Sequence, residues 1–176
     1  MIRLHPAQKS DKKAIKLLMA PHIERGHILP TRIDTEVFIV ASEAEDILGA
    51  VALRPLSARI AELGSLVSDQ PGVGLGVRLV EAALERARRS GFELVVALTA
   101  IPQFFERLDF KASAHAPWIE ARQALNWPHP HPIGEESEAL AAAQAKSSEC
   151  LTCPKLTSCR QVQMLHLIPK LNRCAL

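Results

Sequence analysis

The feature that most constrains the fold is the stretch of residues 60–91, which combines a strand pattern, a glycine-rich turn and a helix pattern. Residues 60–67 form an apolar run of strand length. Glycines then follow at alternate positions, Gly72, Gly74 and Gly76. Apolar residues recur after them at spacings of three and four, which predicts an amphipathic helix. The stretch therefore predicts a strand that enters a helix through a glycine turn.

A turn of this kind favours the binding of a phosphate group. The first amides of a helix lack partners within the helix and lie at the positive end of its dipole. Glycines before the helix let a phosphate approach the bare backbone. The turn is neither a P-loop nor a dinucleotide fingerprint, because the Lys-Ser/Thr pair is missing and the glycine spacing is wrong. A turn that only needs flexible residues remains the alternative.

Composition excludes several classes of protein. The chain has 176 residues, 48% of them hydrophobic, and this suits one domain with a tail. The formal net charge of +2 is too small to favour nucleic acid or an anionic membrane as the main partner. The sequence contains no apolar run of membrane length and no signal-peptide pattern. We therefore expect a soluble, cytoplasmic protein without a membrane or nucleic-acid partner, and a homodimer stays open.

The segments before the glycine turn alternate between strand and helix patterns. Residues 2–5 predict a strand, and a first helix is expected to begin near Ser10 and to end or kink at Pro21. Residues 31–36 predict a short second helix. Residues 37–41 and 47–53 then predict a β-hairpin.

The segments after the predicted amphipathic helix also alternate between strand and helix patterns. Residues 94–98 predict a buried strand, residues 102–108 a helix with Pro102 in its first turn, and residues 111–114 a last strand. This order of elements predicts an α/β fold around a mixed sheet.

The glycine turn resembles motif A of the GNAT acetyltransferases, Arg/Gln-x-x-Gly-x-Gly/Ala, whose loop amides hold the pyrophosphate of acetyl-CoA. Gly74 and Gly76 match its two glycines, and Pro71 replaces the leading Arg/Gln, so we expect a reshaped loop. The resemblance implies a GNAT-like, mostly antiparallel sheet flanked by helices. It also implies an acetyl-CoA site at Leu66, Val67, Gly72, Val73, Gly74, Leu75, Gly76, Val77 and Arg78.

Residues 1–126 resemble, more narrowly, the acetyltransferase domain of bacterial N-acetylglutamate synthase. The similar segments are residues 26–32, 51–55, 61–63, 98–99 and 105–110. The resemblance implies transfer of an acetyl group to the amino group of L-glutamate, a step of arginine biosynthesis. No amino-acid-kinase domain precedes these segments, so a short stand-alone form is expected.

Glu62 is the candidate catalytic residue. Acetyl transfer needs a neutral amine, and a carboxylate within an apolar strand can take the proton directly or through water. The resemblance implies the same role for this position. A glutamate facing solvent from the strand is the alternative. Phe105 lies where many GNAT enzymes have a tyrosine that protonates the departing thiolate, so water or another group would do so here.

Three residues are candidates for binding the acceptor. Arg32 can hold a carboxylate through two parallel hydrogen bonds, although a surface pair with Asp34 or Glu36 is the alternative. Arg54 is a weaker candidate beside the same sheet, and Thr99 belongs to the Leu-Thr segment of the resemblance.

The C-terminal part, residues 127–176, differs from residues 1–126 in composition and local pattern. It begins with a Pro/His-rich linker, continues with a helical pattern over residues 135–146 and ends with a Cys-rich tail. Cys150 and Cys153 form half of a zinc-knuckle pattern, with Cys159 nearby. The fourth zinc ligand would be Cys174, His166 or a linker histidine. Reduced free thiols are the alternative.

Two classes of function follow. The first is an acetyl-CoA-dependent N-acetyltransferase acting on a small amino acid, glutamate foremost, or on another amine or a protein amino group. The second is a non-catalytic GNAT-like binding module. The glycine turn, Glu62 and Arg32 favour the enzyme, whereas Pro71 and the absence of tyrosine favour the module.

Overall fold

The computed structural model of the chain describes residues 1–112 and 161–169. Its strands are β1 (Arg3–Pro6), β2 (Phe38–Glu43), β3 (Asp46–Pro55), β4 (Ile60–Ser68), β5 (Leu94–Thr99), β6 (Lys111–Ala112) and β7 (Val162–Leu167). Its α-helices are α1 (Lys12–Glu24), α2 (Leu75–Arg89) and α3 (Pro102–Glu106), and 3-10 turns span Lys9–Asp11 and Thr35–Val37.

The strands follow the order β1-β2-β3-β4-β5-β7-β6. The pairs β1/β2, β2/β3, β5/β7 and β6/β7 are antiparallel. The predicted α/β fold with a mostly antiparallel sheet is therefore confirmed. The chain divides into two compact units. The first contains Met1–Arg54 and Leu63–Arg86, and the second contains Pro55–Glu62 and the described residues from Ala87 onward.

One face of the sheet in the first unit is covered by α1. Ile15 and Met19 lie one helical turn apart, so both point to the same side of α1. They pack with Phe38 and Val40, which alternate along β2, and with Ala50 of β3, and all five side chains are buried. The predicted hairpin of β2 and β3 is present, with Val40 opposite Ala50.

The other face of the same unit is covered by α2, which approaches β3 at Gly49. A Cβ atom added to Gly49 would lie 2.9 Å from Cδ1 of Leu79 and 3.2 Å from the backbone oxygen of Val67. Because these distances are shorter than ordinary contacts, only glycine lets the first turns of α2 lie this close to the strand.

In the second unit, β7 lies between β5 and β6. Val96 of β5 is directly opposite Leu165 of β7, and both pack in a cluster with Ile60 and Leu94. The sequence analysis did not identify β7, which falls within the range predicted as linker, helix and Cys-rich tail. The predicted linker and the helical segment lie outside the described residues, and the boundary at residue 126 stays a prediction.

Some local predictions were wrong. The helix α1 begins at Lys12 after a 3-10 turn, with Asp11 rather than Ser10 at its N-cap position. Pro21 lies inside the helix and does not end it. The short helix predicted over residues 31–36 is a single 3-10 turn at Thr35–Val37. Among the described residues, no helix is long and apolar enough to span a membrane.

We predict that Gly49→Ala destabilises the protein. The added methyl group meets the Leu79 side chain and a backbone oxygen, and such overpacking costs about 1–3 kcal/mol. Thermal unfolding should show a melting temperature lower by about 2–4 °C for each kcal/mol.

Leu79→Ala supplies the control for this clash. In the Leu79→Ala background the same Gly49→Ala change should cost less, because the nearest side-chain atom has been removed. If Gly49→Ala lowers the melting temperature equally in both backgrounds, the Leu79 side chain does not press on residue 49.

Candidate active site

The glycine turn begins where β4 ends, and its first residues are tied to the sheet. The Ser68 hydroxyl accepts a hydrogen bond from the Gln70 amide at 3.1 Å. The Asp69 amide donates to the Leu48 carbonyl of β3 at 3.0 Å. The chain therefore leaves the sheet in a defined direction.

Two glycines give the turn its conformation. Gly72 has φ +85° and Gly74 has φ +78°, a region that other residues rarely adopt. Among the described residues, no atom outside the two chain neighbours lies within 4 Å of a Cβ added at either glycine. The first bond within α2 runs from the Arg78 amide to the Gly74 carbonyl at 3.2 Å. The amides of residues 75–77 thus have no acceptor within the helix, as the sequence predicts for an anion site.

The side chains around this turn divide between core and surface. Val67 and Leu75 are buried in the core, so a ligand could reach only their backbone. Val73 is 63% exposed at the tip of the turn, and Leu66 is half-buried. The exposed Arg78 donates a hydrogen bond to the Ile2 carbonyl at 3.1 Å, which anchors its guanidinium near the N-terminus.

Arg54 is held by two contacts within the first unit. Its Nη2 donates to the Ser65 hydroxyl at 3.0 Å, and its guanidinium carbon lies 5.8 Å from the centre of the Phe38 ring. Ser65 has φ +50° in the middle of β4, a left-handed backbone that interrupts a regular strand. The sequence analysis missed Ser65, since serine carries no signal for this conformation.

Glu62 is buried in β4, with 8% of its surface exposed. It follows Ala61 and precedes Leu63, which are also buried. The alternative of a glutamate facing solvent is therefore wrong. A proton acceptor within the interior of the protein is compatible with the predicted role, which stays a prediction.

Thr99 and Phe105 lie at the end of β5 and in α3. Thr99 is buried, and its Oγ1 accepts the Ile101 amide at 3.0 Å, which shapes the turn before Pro102. Phe105 is buried and packs edge-to-face on Phe104 and Phe110, with ring centres 5.1 and 5.2 Å apart. Phe105 therefore supplies packing and no acidic proton.

Arg32 is exposed and lines an open cavity of about 550 Å³ in the first unit. Asp34 and Glu36 line the same cavity. Within the described part of the chain, Arg32 forms no ion pair with either carboxylate. The alternative of a surface pair between Arg32 and these residues is therefore wrong.

The predicted metal ligands Cys150, Cys153 and Cys159 lie outside the described residues, so zinc binding stays a prediction. His166 lies on β7, with its ring centre 4.9 Å from that of Phe110. Burial lowers the pKa of His166, with smaller opposing effects from the backbone at Leu108 and from Asp109. In residues 1–112 and 161–169, no group of three or more His, Cys, Asp or Glu side chains could hold a metal ion.

The model of the Acetyltransferase (GNAT) family matches residues 7–110, more than half of the chain. The chain belongs to the GNAT acetyltransferase family. The match contains the hairpin, the glycine turn, α2 and β5. It confirms the resemblance seen in the glycine turn and the predicted enzyme class, an acetyl-CoA-dependent N-acetyltransferase.

Solved structures share the fold at low sequence identity. N-acetylglutamate synthase from Neisseria gonorrhoeae, complexed with coenzyme A and N-acetyl-glutamate, has a TM-score of 0.71 and 16% identity over 97% of this chain and 36% of its own. This chain thus spans about a third of the synthase. Rv2747 from Mycobacterium tuberculosis, in complex with CoA, has a TM-score of 0.68 and 20% identity over 95% and 99% of the two chains.

A third structure is yncA from Salmonella typhimurium with its cofactor acetyl-CoA. Its TM-score is 0.63 and its identity 16%, over 97% of this chain and 95% of its own. These likenesses establish the GNAT fold, and they do not identify the acceptor.

We predict that Gly74→Glu abolishes the binding of acetyl-CoA. The substitution places bulk and negative charge beside the amides proposed to hold the pyrophosphate. Isothermal titration calorimetry with acetyl-CoA should show heat of binding for the wild type and none for the variant.

Gly91→Glu is a matched control, because Gly91 lies past the other end of α2. It has φ +80° and equally open surroundings. Both variants therefore carry the same strain of a left-handed backbone, about 1–2 kcal/mol. Gly91→Glu should bind acetyl-CoA like the wild type, whereas unchanged affinity in Gly74→Glu would refute the predicted site.

Proposed function

We propose that this acetyltransferase moves the acetyl group of acetyl-CoA to the α-amino group of L-glutamate, as a step of arginine biosynthesis in the cytoplasm. The observation that carries the proposal is the Arg32 guanidinium, which lines a cavity and forms no ion pair with the carboxylates beside it. An arginine that is not neutralised by its neighbours is suited to bind a carboxylate ligand. The structural likeness to N-acetylglutamate synthase supports the same acceptor.

In this proposal the glycine turn holds the cosubstrate. The amides of residues 72–77 bind the pyrophosphate of acetyl-CoA, with the helix dipole of α2 adding to the attraction. Pro71 supplies no amide, so the binding rests on the positions after it. Arg54 and Thr99 contribute to the acceptor site as secondary contacts.

The chemistry requires two protons to leave the acceptor nitrogen and one proton to reach the CoA sulfur. Glu62, directly or through a water molecule, takes a proton from the ammonium group of the acceptor. The neutral amine attacks the thioester carbonyl to form a tetrahedral intermediate, whose nitrogen loses its second proton to water. The intermediate then collapses to the amide with loss of the CoA thiolate. Because Phe105 has no acidic proton, water protonates the thiolate. A thiol pKa of about 8.5 makes this thiolate a reasonable leaving group near neutral pH.

We predict that Glu62→Gln lowers turnover mainly below neutral pH. There the amine is largely protonated and a base matters most, so kcat should fall by about a hundredfold at pH 6. The deficit should shrink as the pH rises. The measurement is the release of free CoA thiol between pH 6 and pH 9.

Glu81→Gln serves as the control for Glu62→Gln, because Glu81 is an exposed carboxylate on α2 outside the proposed site. The control should keep the wild-type pH profile. If the Glu62 variant also keeps that profile, Glu62 is not the base.

We predict that Arg32→Ala raises the KM for glutamate about tenfold or more, since loss of one charged pair costs at least about 1.4 kcal/mol. The KM for acetyl-CoA should barely move. Arg32→Lys should recover only part of the loss, because an ammonium cannot form two parallel hydrogen bonds. Steady-state kinetics with each substrate varied in turn would measure both constants. A glutamate KM unchanged in the alanine variant would remove Arg32 from the acceptor site.

A further inference from the structure

The cavity beside Arg32 is formed by two stretches of the first unit. Lys9 and Lys12 come from the 3-10 turn and the start of α1, and residues 32–36 come from the segment before β2. The cavity is open to solvent, since most of its lining side chains are exposed. Its volume of about 550 Å³ leaves room for an amino acid.

The cavity brings together three cations, Lys9, Lys12 and Arg32, and two carboxylates. Among residues 1–112 and 161–169, the side chains of Lys9, Lys12 and Arg32 form no ion pair. Asp34 and Glu36 line the same cavity, and Asp34 also accepts the backbone amide of Glu36 at 3.1 Å. Three cations and two carboxylates leave the lining with a net charge of +1, which favours a ligand with a net negative charge.

The backbone that carries these cations is held in place. Arg86 of α2 is half-buried and donates hydrogen bonds to the carbonyls of Glu36 and Phe38. Thr35 between Asp34 and Glu36 is buried. A site whose backbone is fixed before binding loses less entropy when the ligand arrives.

The Lys9 side of the cavity is held in the same way. The Gln8 amide donates to the Asp11 carboxylate at 2.7 Å, which closes the 3-10 turn that carries Lys9. Lys12 follows as the first residue of α1. Both lysines thus project from an ordered turn, although their own side chains are exposed.

We propose that Lys9 and Lys12 complete a site for two carboxylates with Arg32, and that they select acceptors carrying a second carboxylate. The inference rests on the proposed function, because it assigns the cavity to the same acceptor. The guanidinium of Arg32 binds one carboxylate through its two donors. The two ammonium groups, which are compact charges on long flexible chains, attract the other.

The test compares L-glutamate with L-glutamine, which has the same size and one carboxylate fewer. Lys9→Gln combined with Lys12→Gln should raise the glutamate KM about three- to tenfold, as expected for two exposed charges. The glutamine KM should stay the same, so the preference for glutamate over glutamine falls by the same factor. Added salt should weaken glutamate binding in the wild type more than in the double variant.

Lys13→Gln combined with Lys16→Gln is the matched control. Both lysines are exposed on α1 and neither lines the cavity. The control removes the same number of positive charges from the same region of the first unit. It should keep the wild-type preference for glutamate and the wild-type dependence on salt.

Equilibrium titration of each protein with L-glutamate separates the two hypotheses. If the wild type binds glutamate in a manner that depends on Lys9 and Lys12 but transfers no acetyl group to it, the proposed function fails and the site stands. If the wild type acetylates glutamate and the Lys9/Lys12 variant keeps the preference of the Lys13/Lys16 control, the inference is overturned and the function stands. Absence of glutamate binding by the wild type overturns both.

Discussion

The left-handed backbone at Gly72 and Gly74 is the constraint on which the first unit depends. Positive φ at these positions turns the chain from β4 into α2, and a side chain at either would strain that turn. The same turn leaves the first amides of α2 without acceptors in the helix and opens the space before them. One local conformation thus sets the direction of the helix and creates the anion site that we assign to acetyl-CoA.

Helix α2 makes two sets of contacts, one with β3 and one with the segment before β2. Gly49 lets its first turns lie against β3, where any larger residue would press on Leu79. Further along the helix, Arg86 reaches the carbonyls of Glu36 and Phe38 and fixes the segment before β2. That segment carries Arg32. The helix that begins at the proposed cosubstrate site therefore also holds the backbone of the proposed acceptor site.

Local sequence signals predicted much of this architecture. Two strand patterns close together in the sequence predicted the hairpin, and the glycine spacing with the helical period predicted the turn and α2. Strand β7 was not predicted from the sequence, because its pairing with β5 and β6 joins residues that are distant in the sequence. The φ of Ser65 and the carbonyl contacts of Arg86 also depend on tertiary packing, which no short pattern encodes.

The central claim is that glutamate is the acceptor of this GNAT enzyme. The most direct measurement is a competition assay, in which the protein receives acetyl-CoA and an equimolar mixture of the twenty amino acids, and mass spectrometry identifies the acetylated products. The account predicts that N-acetylglutamate forms first and in the largest amount. A different predominant product, or CoA released without any acetylated amino acid, would contradict it.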